Sequence, residues 1–161
     1  HGTDYYIVTK PDGVYRVAKR LVVETQGQTD RTPRLVLPTG KNLRVGYSWT
    51  QESTPLAVRW MPPFSEMNAS IKPFDMVYTI ESLDETLDTP AGRFENCVKV
   101  EGQGRMTIYA DPRAGYEEVF ITHTEWYAPG VGLVKVERDE PLDTSIIKGG
   151  RVTMLLTAFQ D

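Results

Sequence analysis

Apolar and polar side chains alternate with a period of two along much of the chain. In residues 74–81 the even-numbered positions hold Phe, Met, Tyr and Ile, which predicts a strand with one mainly apolar face. In residues 152–159 both alternating sets are largely apolar, so this strand is expected to be central or covered on both faces. Further strands are predicted at residues 5–9, 14–24, 43–50, 56–61, 119–121 and 131–136.

Proline and glycine fall between these runs and predict tight turns. Pro90 and Gly92 fit a type I turn that a left-handed glycine closes, and Pro129-Gly130 has the order of a type II turn. Gly132 would allow a close backbone approach or a bulge. Strands with such short connections usually run antiparallel. Shorter tips are predicted at residues 10–13, 111–115 and 148–150.

Two segments are less regular than the rest. Residues 62–70 predict a single helical turn or a loop, and the polar residues 26–33 predict a loop. No repeat or linker divides the chain, so we predict one all-β domain over residues 1–161 with little helix. Its strands would form a single antiparallel, strongly curled sheet built largely from hairpins. The pattern leaves open whether that sheet is a half-barrel, a barrel or a sandwich.

Composition supports the β assignment and limits the classes of partner. Val, Ile and Thr number 16, 7 and 17, against 8 Ala and 11 Leu, the reverse of the balance typical of helical domains. The net charge is −4 and the charges are interspersed, so no basic face for nucleic acid is predicted. No run of 18 apolar residues predicts a membrane-spanning segment. Cys97 is the only cysteine and is expected to be a small buried side chain.

Two stretches carry a specific pattern: Thr89–Val100, with the sequence TPAGRFENCVKV, and Glu125–Lys135, with the sequence EWYAPGVGLVK. Together they resemble the DUF3108-like family of bacterial exported proteins and lipoproteins. The upstream residues that also fit the family's pattern are Gly13–Arg16, Leu37, Pro38, Gly40 and Trp49. The resemblance implies an exported, largely β domain in the periplasm or on the cell surface. It implies no established chemistry and supplies no catalytic residues.

The two stretches also have a purely structural interpretation. Their prolines and glycines would close two hairpins, and Phe94, Cys97 or Val98, and Leu133 would then be core residues. On this interpretation the motif encodes the fold and does not line a site.

The two histidines, His1 and His123, are the candidates for metal binding. If His1 is the mature N-terminus, its α-amine and imidazole chelate copper, and His123 would complete a three-nitrogen site. Copper polysaccharide monooxygenases resemble this arrangement, since they begin with His on a β scaffold. Alternatively, His1 is an incidental terminus or a tag remnant, and His123 is structural. No serine elbow, phosphate loop, dinucleotide fingerprint or zinc spacing is present in the sequence, and no cofactor is predicted.

Four aromatic residues are candidates for a ligand or partner surface: Trp49, Trp60, Trp126 and Tyr127. They would line a concave apolar pocket of a curled sheet, or they would fill the core. The sequence therefore predicts a non-catalytic exported domain that binds lipid, another apolar ligand or a cell-envelope protein. The alternatives are a structural accessory subunit of a larger envelope complex and a copper enzyme that uses His1 and His123.

Overall fold

The computed structural model describes residues 3–21, 24–111, 113 and 115–160. Strands account for 69% of the structure and helix for 6%, which confirms the predicted all-β class with little helix. The described strands pair antiparallel throughout. In chain order they are β1 (Thr3–Lys10), β2 (Gly13–Leu21), β3 (Gln28–Pro38), β4 (Ser48–Ser53), β5 (Arg59–Trp60), β6 (Phe74–Thr89), β7 (Gly92–Asp111), β8 (Gly115–Ala128), β9 (Gly132–Asp143) and β10 (Ile147–Leu155).

The strands form two sheets, whereas the sequence predicted one strongly curled sheet. One sheet has the order β1-β2-β3, and the other has the order β4-β6-β7-β8-β9-β10-β5. Neither sheet is closed or strongly curled. The chain divides into two compact units, residues 1–47 and 48–161, and each unit holds one sheet. That residues 1–161 form a single domain stays a prediction.

A short irregular segment separates the two sheets along the chain. It contains a 3-10 turn at Gly40–Asn42 and left-handed backbone at Gly40 and Gly46, with φ of 60° and 84°. Such backbone interrupts strand pairing, so the strand predicted at residues 43–50 begins only at Ser48. A second 3-10 turn at Ser65–Ser70 agrees with the helical turn predicted at residues 62–70.

In the first unit, β3 corrects a prediction. The sequence predicted a loop at residues 26–33, but residues 28–33 belong to a strand that pairs with β2. The Arg16 guanidinium of β2 donates two hydrogen bonds of 2.8 Å to the Asp30 carboxylate of β3. A bidentate ion pair of this kind stabilises the pairing of two neighbouring strands even where the sequence shows no apolar alternation.

In the second unit, long hairpins form most of the sheet. Pro90 and Gly92 lie where β6 turns into β7, and Pro129, Gly130 and Gly132 lie where β8 turns into β9. These three glycines have φ of 133°, 73° and 100°, a region in which other L-residues are strained. One face of the sheet is almost completely buried and includes Met76, Tyr78, Ile80, Val100, Val119, Ile121, His123, Val136, Arg138 and Glu140.

The last strand also differs from its prediction. Residues 148–150 were expected to form a turn but lie inside β10, at a bulge in its pairing with β9. β10 was expected to be central or covered, yet among the described strands its only neighbour besides β9 is the two-residue strand β5. Met154 and Leu155 are therefore exposed. The alternation was ambiguous here because apolar residues occupy both faces of the strand.

Gly149 is expected to tolerate no side chain. A Cβ atom added there would lie 1.8 Å from the Glu140 carbonyl oxygen, whereas a Cβ at the adjacent Gly150 would meet only the Ala57 Cβ at 3.8 Å. We expect Gly149→Ala to lower the free energy of unfolding by about 3 kcal/mol, because the backbone must move. Gly150→Ala should change it by less than about 1 kcal/mol. Equal urea midpoints for the two variants would contradict this geometry.

Candidate functional site

The four aromatic residues singled out from the sequence belong to different clusters. Trp49 of the edge strand β4 stacks on Tyr78, with ring centroids 5.8 Å apart. Trp60 of the opposite edge strand β5 is buried and meets Phe64 edge to face. Trp126 of β8 is buried, and the Lys99 and Lys135 ammonium groups lie 6.0 Å and 4.6 Å from its ring centroid. The structure does not bring the three tryptophans together.

A row of cross-strand partners crosses the buried face of the sheet. It runs from Trp49 through Tyr78, Gly102 and His123 to Arg138. A Cβ at Gly102 would lie 2.6 Å from the Tyr78 ring, so the glycine provides the space that this ring occupies. The Tyr78 ring is perpendicular to the His123 imidazole at 6.1 Å. This row links two of the predicted site residues, Trp49 and His123, through a tyrosine that the sequence analysis did not select.

His123 is part of a hydrogen-bonded chain on β8. Its Nε2 lies 2.8 Å from Glu125 Oε1, and the Tyr127 hydroxyl donates to Glu125 Oε2 at 2.6 Å. Because a carboxylate only accepts, the imidazole donates from Nε2. The buried Nδ1 has no hydrogen-bond partner among the described residues. Tyr127, a candidate for a ligand or partner surface, is half-buried, and its hydroxyl binds the Glu125 carboxylate.

Next to this chain, β9 contains a buried ion pair. The Arg138 Nε donates to Glu140 Oε1 at 2.7 Å, and the two side chains are 2% and 0% exposed. The other guanidinium nitrogens donate to Ser53 Oγ at 3.1 Å and to the Thr54 carbonyl oxygen at 3.0 Å. The guanidinium thus has partners in three directions, as a buried charge requires.

Glu140 also binds the segment that connects the two edge strands, residues 54–58, which we call the crossing segment. Its carboxylate accepts the backbone N–H groups of Leu56, Ala57 and Val58 at 2.9, 2.7 and 2.8 Å. Three consecutive backbone donors and one guanidinium satisfy both carboxylate oxygens. This arrangement holds the crossing segment against the sheet and is structural in character.

The metal hypothesis stays untested because His1 lies outside the described residues. The other proposed ligand, His123, uses its Nε2 on Glu125. Within the described ranges, no group of three His, Cys, Asp or Glu side chains is placed to hold a metal ion.

Cys97 is fully buried and packs with Trp126, Ala128 and Val134. Burial raises the pKa of the Cys97 thiol, and the nearby Glu85 carboxylate raises this pKa further. Both effects disfavour the thiolate, which is the nucleophilic form of cysteine. The structure therefore places Cys97 in the core, as the sequence predicted.

The β7–β8 hairpin has a second face, opposite the buried face of the sheet, and this face exposes aromatic rings. Tyr116 is 75% exposed, Phe120 62% and Tyr109 47%. Tyr109 and Tyr116 are cross-strand partners whose rings meet edge to face at 5.1 Å. Arg105 lies opposite Phe120 and is 3.5 Å from the Glu118 carboxylate. We call Arg105, Tyr109, Tyr116, Glu118 and Phe120 the hairpin face.

A shallow depression lies on the outward-facing side of β6 and β7. Its volume is about 130 Å³, and its lining is Val77, Thr79, Glu81, Glu101 and Gln103. Pockets for drug-sized ligands usually enclose about 300–1,000 Å³ and are mostly apolar. This depression is smaller than such pockets, and four of its five lining residues are polar.

Comparison with known proteins places this architecture in a family. The DUF3108-like family matches residues 61–141, which contain the complete β6–β8 strands and most of β9. The chain belongs to the DUF3108-like family. No curated protein and no solved structure matches it. The two resembling stretches, 89–100 and 125–135, lie inside the matched region of the DUF3108-like chain, and residues 13–49 lie outside it.

The sequence analysis of this DUF3108-like chain missed Arg138 and Glu140. Val134, Val136, Arg138 and Glu140 alternate along β9 and share its buried face. Two charges that continue an apolar alternation are the signal that could have identified them. Among the described residues, no helix is long and apolar enough to span a membrane.

Removal of the Glu140 charge is expected to destabilise the DUF3108-like chain strongly. Glu140→Gln loses an acceptor for two or more of the four donors and leaves Arg138 buried without a counter-charge. We expect the free energy of unfolding to fall by about 3–5 kcal/mol in urea titrations. The matched control is Glu137→Gln on the same strand, whose half-exposed pair with Lys135 should contribute less than about 1 kcal/mol. Equal losses for the two variants would contradict the structural role of Glu140.

The native Cys97 thiol is expected to react slowly. Its raised pKa and its burial both lower the accessible thiolate, so labelling at pH 8 should be at least about 100-fold slower in the folded chain than in urea. The measurement is the rate of reaction with a chromogenic disulfide. The pKa of this thiol is higher in the folded than in the unfolded chain. Its titration therefore leaves the free energy of unfolding unchanged below about pH 9 and lowers that free energy as the pH rises further. Rapid native labelling at pH 8 would refute this description.

Proposed function

We propose that this chain is a non-catalytic binding domain of the bacterial cell envelope and that the hairpin face contacts a partner protein. The observation that carries the proposal is the exposure of Tyr109, Tyr116 and Phe120 on one continuous surface. The chain belongs to the DUF3108-like family, and the envelope location follows the exported character that the sequence resemblance implies.

The composition of the hairpin face favours a protein partner. Tyrosine and arginine are the residue types that most often dominate binding energy at protein interfaces. The aromatic rings of Tyr116 and Phe120 offer apolar area, and Arg105 and Glu118 offer charged groups beside them. Both strands are long and hydrogen-bonded, so these side chains are displayed from a rigid base.

The buried polar groups support a binding role over a catalytic one. Arg138 and Glu140 use their polar atoms on the crossing segment and on each other. The Cys97 thiol is buried and has a raised pKa. A protein partner is favoured over an internal apolar ligand because the predicted aromatic residues belong to separate clusters.

The first test locates the contact in the native host. A photo-crosslinking amino acid replaces Phe120, and a control chain carries it at Met154, another exposed apolar side chain of the same sheet. We expect a discrete protein adduct in the periplasmic or surface fraction from position 120 and none from position 154. Equal adducts from both positions, or a cytoplasmic location, would refute the proposal.

The second test measures affinity for the purified cross-linked protein. Tyr116→Thr with Phe120→Thr retains good strand-forming residues but removes the aromatic area. We expect binding to weaken at least about tenfold, as for the loss of interface aromatic residues. Met154→Thr is the matched control and should leave the affinity unchanged. Unaltered binding by the double variant would contradict the role of the hairpin face.

A further inference from the structure

The outer edge of β1 is open for pairing. β1 is the first strand in the order β1-β2-β3, and among the described strands it pairs only with β2. Its side chains from Asp4 to Lys10 are exposed, and those of Tyr5, Tyr6 and Ile7 are 51%, 45% and 48% exposed. An edge strand leaves every second backbone N–H and C=O free to bind another strand.

β1 lacks the features that usually prevent edge pairing. Residues 5–9, with the sequence YYIVT, contain no charge and no proline. The ladder between β1 and β2 contains a bulge, but Tyr6 lies opposite Ala18 and Ile7 lies opposite Arg16, so the extra residue is on β2. β1 itself therefore contains no bulge, and its side chains alternate regularly between the two faces of the sheet along its whole length.

We propose that β1 pairs antiparallel with β1 of a second copy of this chain, about a two-fold axis at Ile7. The product is a continuous six-stranded sheet with an isologous interface. This inference concerns the first compact unit and is independent of the proposal for the hairpin face.

The sequence of β1 is complementary to itself in this register. When Ile7 lies opposite Ile7 of the second copy, Asp4 lies opposite Lys10 at one end and Lys10 opposite Asp4 at the other. Between them, Tyr6 lies opposite Val8 and Tyr5 opposite Thr9. Cross-strand pairs of opposite charge and of aromatic with β-branched side chains stabilise antiparallel sheets.

The two charged residues are positioned to take part. The Asp4 carboxylate accepts hydrogen bonds from Arg20 on β2, at 2.5 and 3.0 Å, and is half-exposed. The Lys10 ammonium lies 5.0 Å from the Tyr15 ring centroid and makes no ion pair with a described residue. The proposed pairing places the Lys10 ammonium beside the Asp4 carboxylate of the second copy. It thereby extends the Arg20–Asp4 ion pair across the interface.

Other two-fold registers are less favourable. A shift by two residues in one direction places Asp4 opposite Asp12 of the second copy, and the opposite shift leaves Lys10 beyond the end of β1. Parallel pairing in register places Asp4 opposite Asp4 and Lys10 opposite Lys10. Like charges directly opposite one another destabilise a pair of strands.

Charge reversal tests the interface in the full-length chain. By sedimentation, we expect the wild type to show a dimer whose fraction increases with protein concentration. Asp4→Lys and Lys10→Asp should each weaken self-association at least about tenfold, because each places like charges at both ends. A mixture of the two variants has opposite charges at both ends, so we expect it to recover association. Recovery excludes misfolding as the cause of the single-variant loss.

Cysteine cross-linking tests the register. Ile7→Cys should form an intermolecular disulfide under mild oxidation because each Cys faces its copy, whereas Cys97 stays buried. Tyr6→Cys and Val8→Cys should cross-link poorly alone and efficiently when mixed. Cross-linking of Tyr6→Cys alone that matches Ile7→Cys would overturn the register. A wild-type monomer at every concentration would overturn the dimer and leave this edge to an extended segment of a different chain.

Discussion

The Glu140 carboxylate satisfies a demand that the topology of the second unit creates. β4 and β5 are the two edges of the seven-stranded sheet, so the chain between them must cross from one edge to the other. The N–H groups of Leu56, Ala57 and Val58 are part-buried or buried along this crossing and therefore need hydrogen-bond acceptors. Glu140 accepts three such groups, and Arg138 balances its charge and binds Ser53 and Thr54 at the start of the crossing. The fold of this unit therefore depends on one charged pair in an apolar face.

Two glycines lie where a neighbouring group occupies the volume that a side chain would fill. Gly149 lies against the Glu140 backbone, and Gly102 lies beneath the Tyr78 ring beside His123. In both places a bulky group occupies the volume that another side chain would take. The buried polar groups of β8 and β9 thus have apolar and backbone neighbours packed closely around them, which lowers the local dielectric and strengthens their hydrogen bonds.

Local signals predicted the hairpins, and non-local contacts determined the remainder. Pro90 with Gly92, and Pro129 with Gly130, restrict their own backbone, so their turns could be read from the sequence. Strand β3 could not, because the Arg16–Asp30 pair that supports it joins residues far apart in sequence. The exposure of Met154 was also hidden, since an alternation with apolar residues on both faces does not show which neighbours are present. Arg138 and Glu140 were predictable in position, but their partners in the crossing segment were not.

The residues of the candidate site also depend partly on local sequence signals and partly on non-local contacts. Aromatic residues could be counted in the sequence, but whether a ring is buried or exposed depends on the strands beside it. Trp126 is buried between lysine side chains of its two neighbouring strands, whereas Tyr116 and Phe120, which lie on the same face of β8, are exposed. The two proposed surfaces differ accordingly in their physics. The hairpin face offers side chains, and the β1 edge offers backbone groups. A dimer formed at β1 would carry two hairpin faces, and a partner with two copies of its own epitope would then bind with an effective concentration that a single copy cannot supply. Self-association would in this way set the valency of the binding domain without altering any contact at the hairpin face.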